Sequence, residues 1–177
     1  MDAGASPRRD PSSAARWCGG VAVALGGLIL VGWLLGLPPL TRVHGSLPAA
    51  VPNSALMFVA CGVALIAQAR RSAALVALLA AAFVVALSAA TLIEHAAAVD
   101  LGIDLKLGGD YGDLQHAGRP ATHTAAAFLL LGCFLLLGRW HSALGNVVAG
   151  VFGAGAATIV GLAVAGYLTG VDYLYGS

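Results

Sequence analysis

The side chains of this chain that could do chemistry stand out because so few ionisable residues interrupt its apolar segments. Glu94 and His95 are adjacent, close to the end of a long apolar run. Ionisable residues within such a run are costly in a membrane and often functional. Two interpretations stay open: the pair reaches the lipid headgroups and meets water, or it is a buried polar pair that faces other helices and responds to protons or a ligand.

Four of the five histidines fall on the same predicted side of the apolar segments: His44, His95, His116 and His123. Neutral imidazole is a good ligand for zinc, copper or haem iron. However, no two of these histidines have a spacing, such as i, i+4 on one helix, that defines a metal site. We therefore predict scattered interfacial histidines, no metal and no cofactor, and keep a haem-binding or metal-binding membrane protein as an alternative.

Residues 100–121 form a polar segment rich in aspartate and glycine. Its aspartates are Asp100, Asp104, Asp110 and Asp113. The pattern resembles a calcium-binding loop only loosely, because the terminal Glu and the ligand spacing are missing. We predict a solvated acidic loop, in which Arg119 can pair with a carboxylate or contact a lipid phosphate or a ligand. The candidate sensing residues are Glu94, His95, Asp104, His116, Arg119 and His123.

The composition is that of an integral membrane protein. Of the 177 residues, 59% are hydrophobic and 10% are charged, whereas a soluble domain has about 25% charged residues. Several apolar runs approach the roughly 20 residues that a membrane-spanning helix needs. The net charge of +1 gives no reason to expect nucleic-acid binding. The three cysteines lie within apolar runs without CxxC spacing, which favours small buried side chains over a disulfide framework.

Hydropathy predicts an all-α polytopic transmembrane bundle with five spans. These are residues 17–37, 53–69, 74–99, 122–137 and 146–170. Six of the nine basic residues lie on one side: Arg8, Arg9, Arg16, Arg70, Arg71 and Arg139. Basic residues favour the cytoplasmic side, so we predict a bacterial inner-membrane protein with a disordered cytoplasmic tail (1–16), a membrane domain (17–177), and loops 38–52 and 100–121 outside.

One segment is written twice, seventy residues apart. "PNSALMFVACGVALI" (52–66) and "THTAAAFLLLGCFLLL" (122–137) match at Ala55/Ala125, Phe58/Phe128, Gly62/Gly132 and Leu65/Leu135, with hydroxyls at Ser54/Thr124. Pro52 fits just before a helix start, where Asn53 or Ser54, and Thr122 or Thr124 in the second copy, can cap free N–H groups. The small residues allow close helix packing. The repeated unit is then a helical hairpin: long helix, outer loop, short helix.

A third unit begins at the fifth span, so we expect a sixth helix to be missing and the chain to be a fragment. At the outer end of this span, "GYLTGVDYL" (166–174) resembles "GWLLGLPPL" (32–40) at the end of the first span. With five spans and the N-terminus inside, the C-terminus would end outside, and a further short helix would return the chain to the cytoplasm.

These motifs resemble the N-terminal membrane region of bacterial sensor histidine kinases and of GGDEF-type signalling proteins. In that family the repeated element is similar to "MxPNTALxFLLxGLAL", and "LGID" (101–104) with "HAGRPATHTA" (116–125) resembles its second element. This chain departs from the family at Ala117, which replaces a Pro, and at His123, which replaces an Asn.

The resemblance implies a sensor or input module in the lipid bilayer, without catalytic activity of its own. It also implies a homodimer whose final helix passes the signal to a cytoplasmic kinase or cyclase domain that this chain does not contain. A small transporter or permease is the alternative, since internal repeats also occur in transporters. Against it, both complete units would insert in the same orientation, and no span has a mid-membrane Gly or Pro break beside a charge.

Overall fold

The computed structural model describes residues 11–42, 49–107, 118–139 and 142–169. Every regular element in these ranges is helical, which confirms the all-α prediction. The helices are α1 (Pro11–Leu34), α2 (Pro38–Thr41), α3 (Pro52–Gln68), α4 (Ala74–Ala97), α5 (Thr122–Leu137) and α6 (Ala143–Thr169), with a 3-10 turn at Arg71–Ala73 before α4.

Three of these helices are long and apolar enough to cross a membrane, which is consistent with a membrane protein. The qualifying stretches are Ser12–Leu34, Ala74–Ala97 and Ala143–Gly166. Helices α3 and α5 are apolar but have only 17 and 16 residues. At 1.5 Å per residue they are about 26 and 24 Å long, slightly less than a hydrocarbon layer of about 30 Å. Each of these three long and two shorter apolar helices overlaps a segment that hydropathy predicts as a span.

The ends of the first helix differ from the sequence prediction. Helix α1 begins at Pro11, so residues 11–16 are helical although the sequence assigned them to the disordered tail. It also stops early, at Leu34, because Gly36 adopts a left-handed φ of 62° and the Leu37 N–H bonds the Gly32 carbonyl at 2.8 Å. This closure is a Schellman motif. The short α2, which the sequence did not predict, follows directly.

Helices α3, α4 and α5 contact one another and form the centre of the fold, while α1 packs on α3 and α6 packs on α5. The central core is made of small and medium apolar side chains, namely Met57, Cys61, Ala64, Ala81, Val84, Phe128 and Leu135. Because α3 is packed against other helices on both faces, its N-terminal end is held in position for the polar contacts described below.

Glycines allow the helices to approach closely. A Cβ at Gly26 of α1 would lie 2.6 Å from the carbonyl oxygen of Ala55, and a Cβ at Gly62 of α3 would collide with the carbonyl oxygen of Gly19. A Cβ at Gly132 of α5 would lie 2.8 Å from a methyl group of Val85 on α4. Glycine packing of this kind is how membrane helices associate when lipid removes the hydrophobic driving force between them.

The faces of the long helices that no other described helix covers are apolar. Exposed residues on α1, α4 and α6 include Val21, Leu25, Leu28, Leu75, Leu79, Val147, Val151 and Leu168. Apolar surface this continuous is rare on a soluble monomer. A lipid environment explains it without any further partner.

Candidate functional site

Helix α4 carries a buried face that ends in a carboxylate. The buried residues recur every three or four positions: Ala77, Ala81, Val84, Ser88, Thr91 and Glu94. The hydroxyl groups of Ser88 and Thr91 donate to carbonyl groups of their own helix, at 2.6 and 2.9 Å. Glu94 is fully buried, and its carboxylate lies one turn from the end of α4. Among the polar side chains of this face, it is therefore the one that hydrogen-bonds outside its own helix.

The chain after α4 turns back over the Glu94 carboxylate. Ala98 adopts a left-handed φ of 52°, which ends the helix and reverses the chain. The Leu101 N–H then donates to Glu94 Oε1 at 2.8 Å. Asp100 Oδ1 accepts a bond of 2.9 Å from the Gly102 N–H, which stabilises the turn. Local backbone geometry thus brings Asp100 beside Glu94.

Asn53, at the start of α3, holds residues 103–105 from the other side. Its Nδ2 donates to the Ile103 carbonyl at 3.1 Å, and its Oδ1 accepts from the Leu105 N–H at 3.2 Å. The amide side chain is buried and pairs with the extended segment as a neighbouring strand would. This contact fixes Asp104, which lies between the two bonded residues.

The prediction that polar side chains cap the starts of α3 and α5 is wrong. Helix α3 begins at Pro52 itself, with Val51 as the N-cap residue, and it has no side-chain cap. Helix α5 begins at Thr122 after Ala121, also without a side-chain cap. Proline at the first helical position has no N–H that needs a partner. The Asn53 amide is therefore free to bind the distant 103–105 segment.

Arg119 lies among three carboxylates. Its Nε donates to Asp104 Oδ2 at 3.0 Å and lies 3.2 Å from Glu94 Oε2, while its Nη2 is 3.6 Å from Asp100 Oδ1. The side chains of Arg119, Glu94 and Asp104 are 4%, 0% and 7% exposed, whereas that of Asp100 is 70% exposed. We call these four residues the ionic cluster.

The residues beside Arg119 tie the cluster to α4 and α5. Gly118 has a φ of 89° and approaches the Leu105 carbonyl too closely for a side chain. On the other side, His95 Nε2 lies 2.9 Å from the Pro120 carbonyl oxygen. Since a carbonyl only accepts, His95 carries its proton on Nε2. Arg119 is thus placed by backbone contacts on both sides, two residues before the Ala121 cap of α5.

The ionic cluster is not electrically balanced. Three carboxyl groups face one guanidinium, and a buried charge without full pairing is expensive. Within the described part of the chain, three buried side-chain atoms have no hydrogen-bond partner: Glu94 Oε2, Asp104 Oδ1 and Arg119 Nη2. Although Glu94 Oε2 is close to Arg119 Nε, the single N–H of that nitrogen points to Asp104, so the contact is an ion pair without a hydrogen bond.

A cavity of about 250 Å³ opens beside the cluster. Its lining residues are Glu94, His95, Ala98, Val99, Asp100 and Arg119. Charged groups, an exposed carboxylate and open volume therefore meet at one end of the bundle, which makes this the candidate functional site.

The structure brings together four of the six predicted sensing residues: Glu94, His95, Asp104 and Arg119. His123 is half-buried on the first turn of α5 and takes no part in the bonds of the cluster. His116 lies outside the described residues. Glu94 is buried, as one of the two interpretations of the pair expects, whereas His95 is half-buried. Asp104, predicted to be solvated, is buried because Asn53 and Arg119 hold it in place.

Two contributions escaped the sequence prediction. Asp100 was assigned to solvent, and Asn53 was assigned to a helix cap. The available signal for Asp100 was its place two residues before Gly102 and shortly after Glu94, where a tight turn can return the chain to the end of its own helix. Nothing in the sequence shows that the Asn53 amide pairs with a backbone segment 50 residues away.

No family model, curated protein or solved structure matches this chain. The composition, the helix packing and the ionic cluster are therefore the features that bear on its function.

Proposed function

We propose that this chain is a membrane-embedded input module of a bacterial signalling protein. In this proposal the ionic cluster receives a stimulus at the outer face of the inner membrane, with the N-terminus in the cytoplasm. A change in helix packing then reaches an output domain, a kinase or a cyclase, in a homodimer.

The observation that carries the proposal is that the cluster joins all three central helices. Glu94 belongs to α4, Asn53 of α3 holds the segment that bears Asp104, and Arg119 leads directly into α5. A ligand moves a conformational equilibrium only by binding one state better than another. The incompletely paired charges of the cluster are groups that a ligand could bind better in one packing state than in the other.

The contacts of the duplicated segment support the hairpin-repeat, five-span arrangement. Phe58 and Phe128, which occupy matching positions, contact each other edge to face with ring centroids 5.0 Å apart. Ala55 and Ala125 are both fully buried, and the matching glycines Gly62 and Gly132 each pack against the long helix that precedes their own. The two copies therefore use the same positions for the same purpose.

The depth of the site favours reception over transport. Substrate sites of transporters lie near the middle of the bilayer, commonly at broken helices. Glu94 is only three residues from the end of α4, about 5 Å along the helix axis. Helix α4 is also continuous from Ala74 to Ala97.

Spin-label distance measurements test this proposal. Labels at Ser72→Cys and Ser142→Cys, both exposed and both at the end of the bundle opposite the cluster, report the packing of α4 against α5 and α6 in bilayer nanodiscs. The three native cysteines are replaced by alanine. Glu94→Gln is expected to shift or broaden the distance distribution, because it changes the charge at the joint.

Ser88→Ala serves as the matched control, because it alters the same buried face of α4 outside the cluster. Its distribution is expected to equal that of the parent. If Glu94→Gln also leaves the distribution unchanged in folded protein, the cluster is not coupled to the opposite end and the input-module proposal fails.

A further inference from the structure

We propose that Glu94, Asp100 and Asp104 form a binding site for a divalent cation that prefers oxygen ligands, with Ca²⁺ as the ion that suits the geometry. This inference names the ligand of the cluster and rests on the proposed function only for the signalling consequence of binding.

The three carboxylates are close enough to share one ion. One oxygen from each of Glu94, Asp100 and Asp104 lies within 4.8 Å of the others. Ca²⁺ binds oxygen at about 2.3–2.6 Å, so two ligands on opposite sides of it are about 5 Å apart. The remaining positions of a six- to eight-coordinate ion would be filled by water, for which the adjacent cavity of about 250 Å³ has room.

A second observation points to a missing ligand. Glu94 Oε2 and Asp104 Oδ1 are buried and have no hydrogen-bond partner. Their side chains are 0% and 7% exposed, so bulk water does not replace the missing partners. Asp104 Oδ1 has no donor, and Glu94 Oε2 has only the Arg119 ion pair without a hydrogen bond, so a cation could bind both oxygens at once.

The charges of the cluster select a cation over an anion. Arg119 neutralises one of the three carboxylates. Lys106, the cation of the 98–107 segment, is exposed. The excess of two negative charges equals the charge of one divalent ion. Arg119 Nη2, which also lacks a partner, can donate to water in the cavity.

Asp100 provides the entrance to the site. Its carboxylate is 70% exposed while those of Glu94 and Asp104 are buried, so an ion arriving from water meets Asp100 first. From there the ion reaches Glu94 through the cavity that both residues line, and Asp104 lies beside Glu94 on the other side of Arg119 Nε.

Arg119 acts as an internal competitor for the same two carboxylates. Its Nε lies 3.0 Å from Asp104 and 3.2 Å from Glu94, the positions that the ion would take over. Binding therefore exchanges a guanidinium contact for a metal contact. Because Arg119 immediately precedes Pro120 and the start of α5, this exchange is a direct way to change the position of α5.

Direct Ca²⁺ titration of the full chain tests the inference. The protein is placed in nanodiscs of zwitterionic phosphatidylcholine, so that lipid charge does not bind the ion, and binding is measured by isothermal calorimetry with Mg²⁺ for comparison. Saturable binding of one Ca²⁺ per chain is expected. Asp100→Asn, at the exposed entrance, is expected to weaken binding at least tenfold without disturbing the buried pairs.

Asp10→Asn is the charge-matched control, because it removes one acid that the sequence assigns to the opposite side of the membrane; its affinity is expected to equal that of the parent. Arg119→Gln is expected to strengthen Ca²⁺ binding at least tenfold by removing the competitor. If Arg119 only stabilised the fold, its removal would not strengthen Ca²⁺ binding. Where Arg119→Gln does not fold, the comparison of Asp100→Asn with Asp10→Asn decides.

The inference is overturned if the parent binds no Ca²⁺ at millimolar concentration, if Asp100→Asn binds as Asp10→Asn does, or if folded Arg119→Gln binds no more tightly. Failure here is distinct from failure of the proposed function. If Ca²⁺ does not bind but Glu94→Gln still shifts the distance between the labels at positions 72 and 142, only the cation proposal is rejected. Ca²⁺ binding that leaves this distance unchanged keeps the cation site and removes the signalling role.

Discussion

At the scale of single residues, one guanidinium supports two buried carboxylates. Removing one partner of a buried ion pair typically costs about 3–5 kcal/mol, because the other charge stays buried without compensation. Arg119→Gln, without divalent ions, is therefore expected to lower the free energy of unfolding by about 3–5 kcal/mol in a denaturant titration of the detergent-solubilised protein.

Two comparisons make this stability prediction specific. Arg139→Gln removes the same charge at the opposite end of α5 and is expected to cost less than about 1 kcal/mol, as surface charge pairs do. Adding Asp104→Asn to Arg119→Gln is expected to recover part of the loss, since one uncompensated carboxylate disappears. Equal losses for Arg119→Gln and Arg139→Gln would contradict the pairing.

Asn53 supports a second prediction at the same scale. Asn53→Ala removes two hydrogen bonds and leaves the Leu105 N–H and the Ile103 carbonyl without their partner. The expected cost is about 1–3 kcal/mol, together with faster amide hydrogen exchange at Leu105. Ser54→Ala, at the neighbouring buried position, is the control and is expected to leave that exchange rate unchanged.

The charged members of the site could be predicted from the sequence, but their pairing could not. Glu94, Asp104 and Arg119 are conspicuous because any ionised group in so apolar a chain requires an explanation. Which of them meet depends on the left-handed turn at Ala98 and on the tether to Asn53, both of which are set by the tertiary fold. A side-chain amide serves equally well as a helix cap or as a backbone clamp, and sequence alone does not distinguish them.

At the scale of the elements, the close approach of α1 and α3 depends on individual glycines. Gly26→Ala would place a methyl group 2.6 Å from the Ala55 carbonyl oxygen, so we expect a loss of about 1–3 kcal/mol from the strain of overpacking. Gly27→Ala meets nothing within 4 Å and is expected to be neutral or to stabilise by up to about 1 kcal/mol, since alanine favours helix. Thermal unfolding in detergent measures both, and equal effects would contradict this packing.

Hydropathy predicted the positions of five helices because their apolar stretches are long and uninterrupted. It missed α2, which has only four residues and is specified by its two prolines and the preceding turn rather than by any periodicity. It also ended α1 too late, because Leu35 and Leu37 continue the apolar run past the left-handed Gly36 that stops the helix. Local backbone geometry, and not hydropathy, sets these boundaries.

At the scale of the whole molecule, the uncovered apolar faces and the charge distribution predict how the chain sits in a bilayer. In a cysteine-free background, Ser72→Cys and Lys106→Cys, both at exposed positions, are expected to react with a membrane-impermeant maleimide from opposite sides of sealed vesicles. The cytoplasmic side is expected to hold Ser72, beside Arg70 and Arg71. Labelling of both cysteines from the same side would contradict the proposed arrangement of α4 across the membrane.

The separation of Glu94 and Arg119 along the chain also has a consequence for biosynthesis. During translation α4 emerges from the ribosome before Arg119 does, so its acidic group reaches the insertion machinery without its basic counterpart. If α4 were released alone into lipid, its carboxylate would be left there without a partner. We therefore expect the helix to stay beside the insertion channel until the start of α5 emerges. Nascent chains stalled just before and just after Arg119 has emerged from the ribosome should therefore differ in how readily α4 cross-links to the channel.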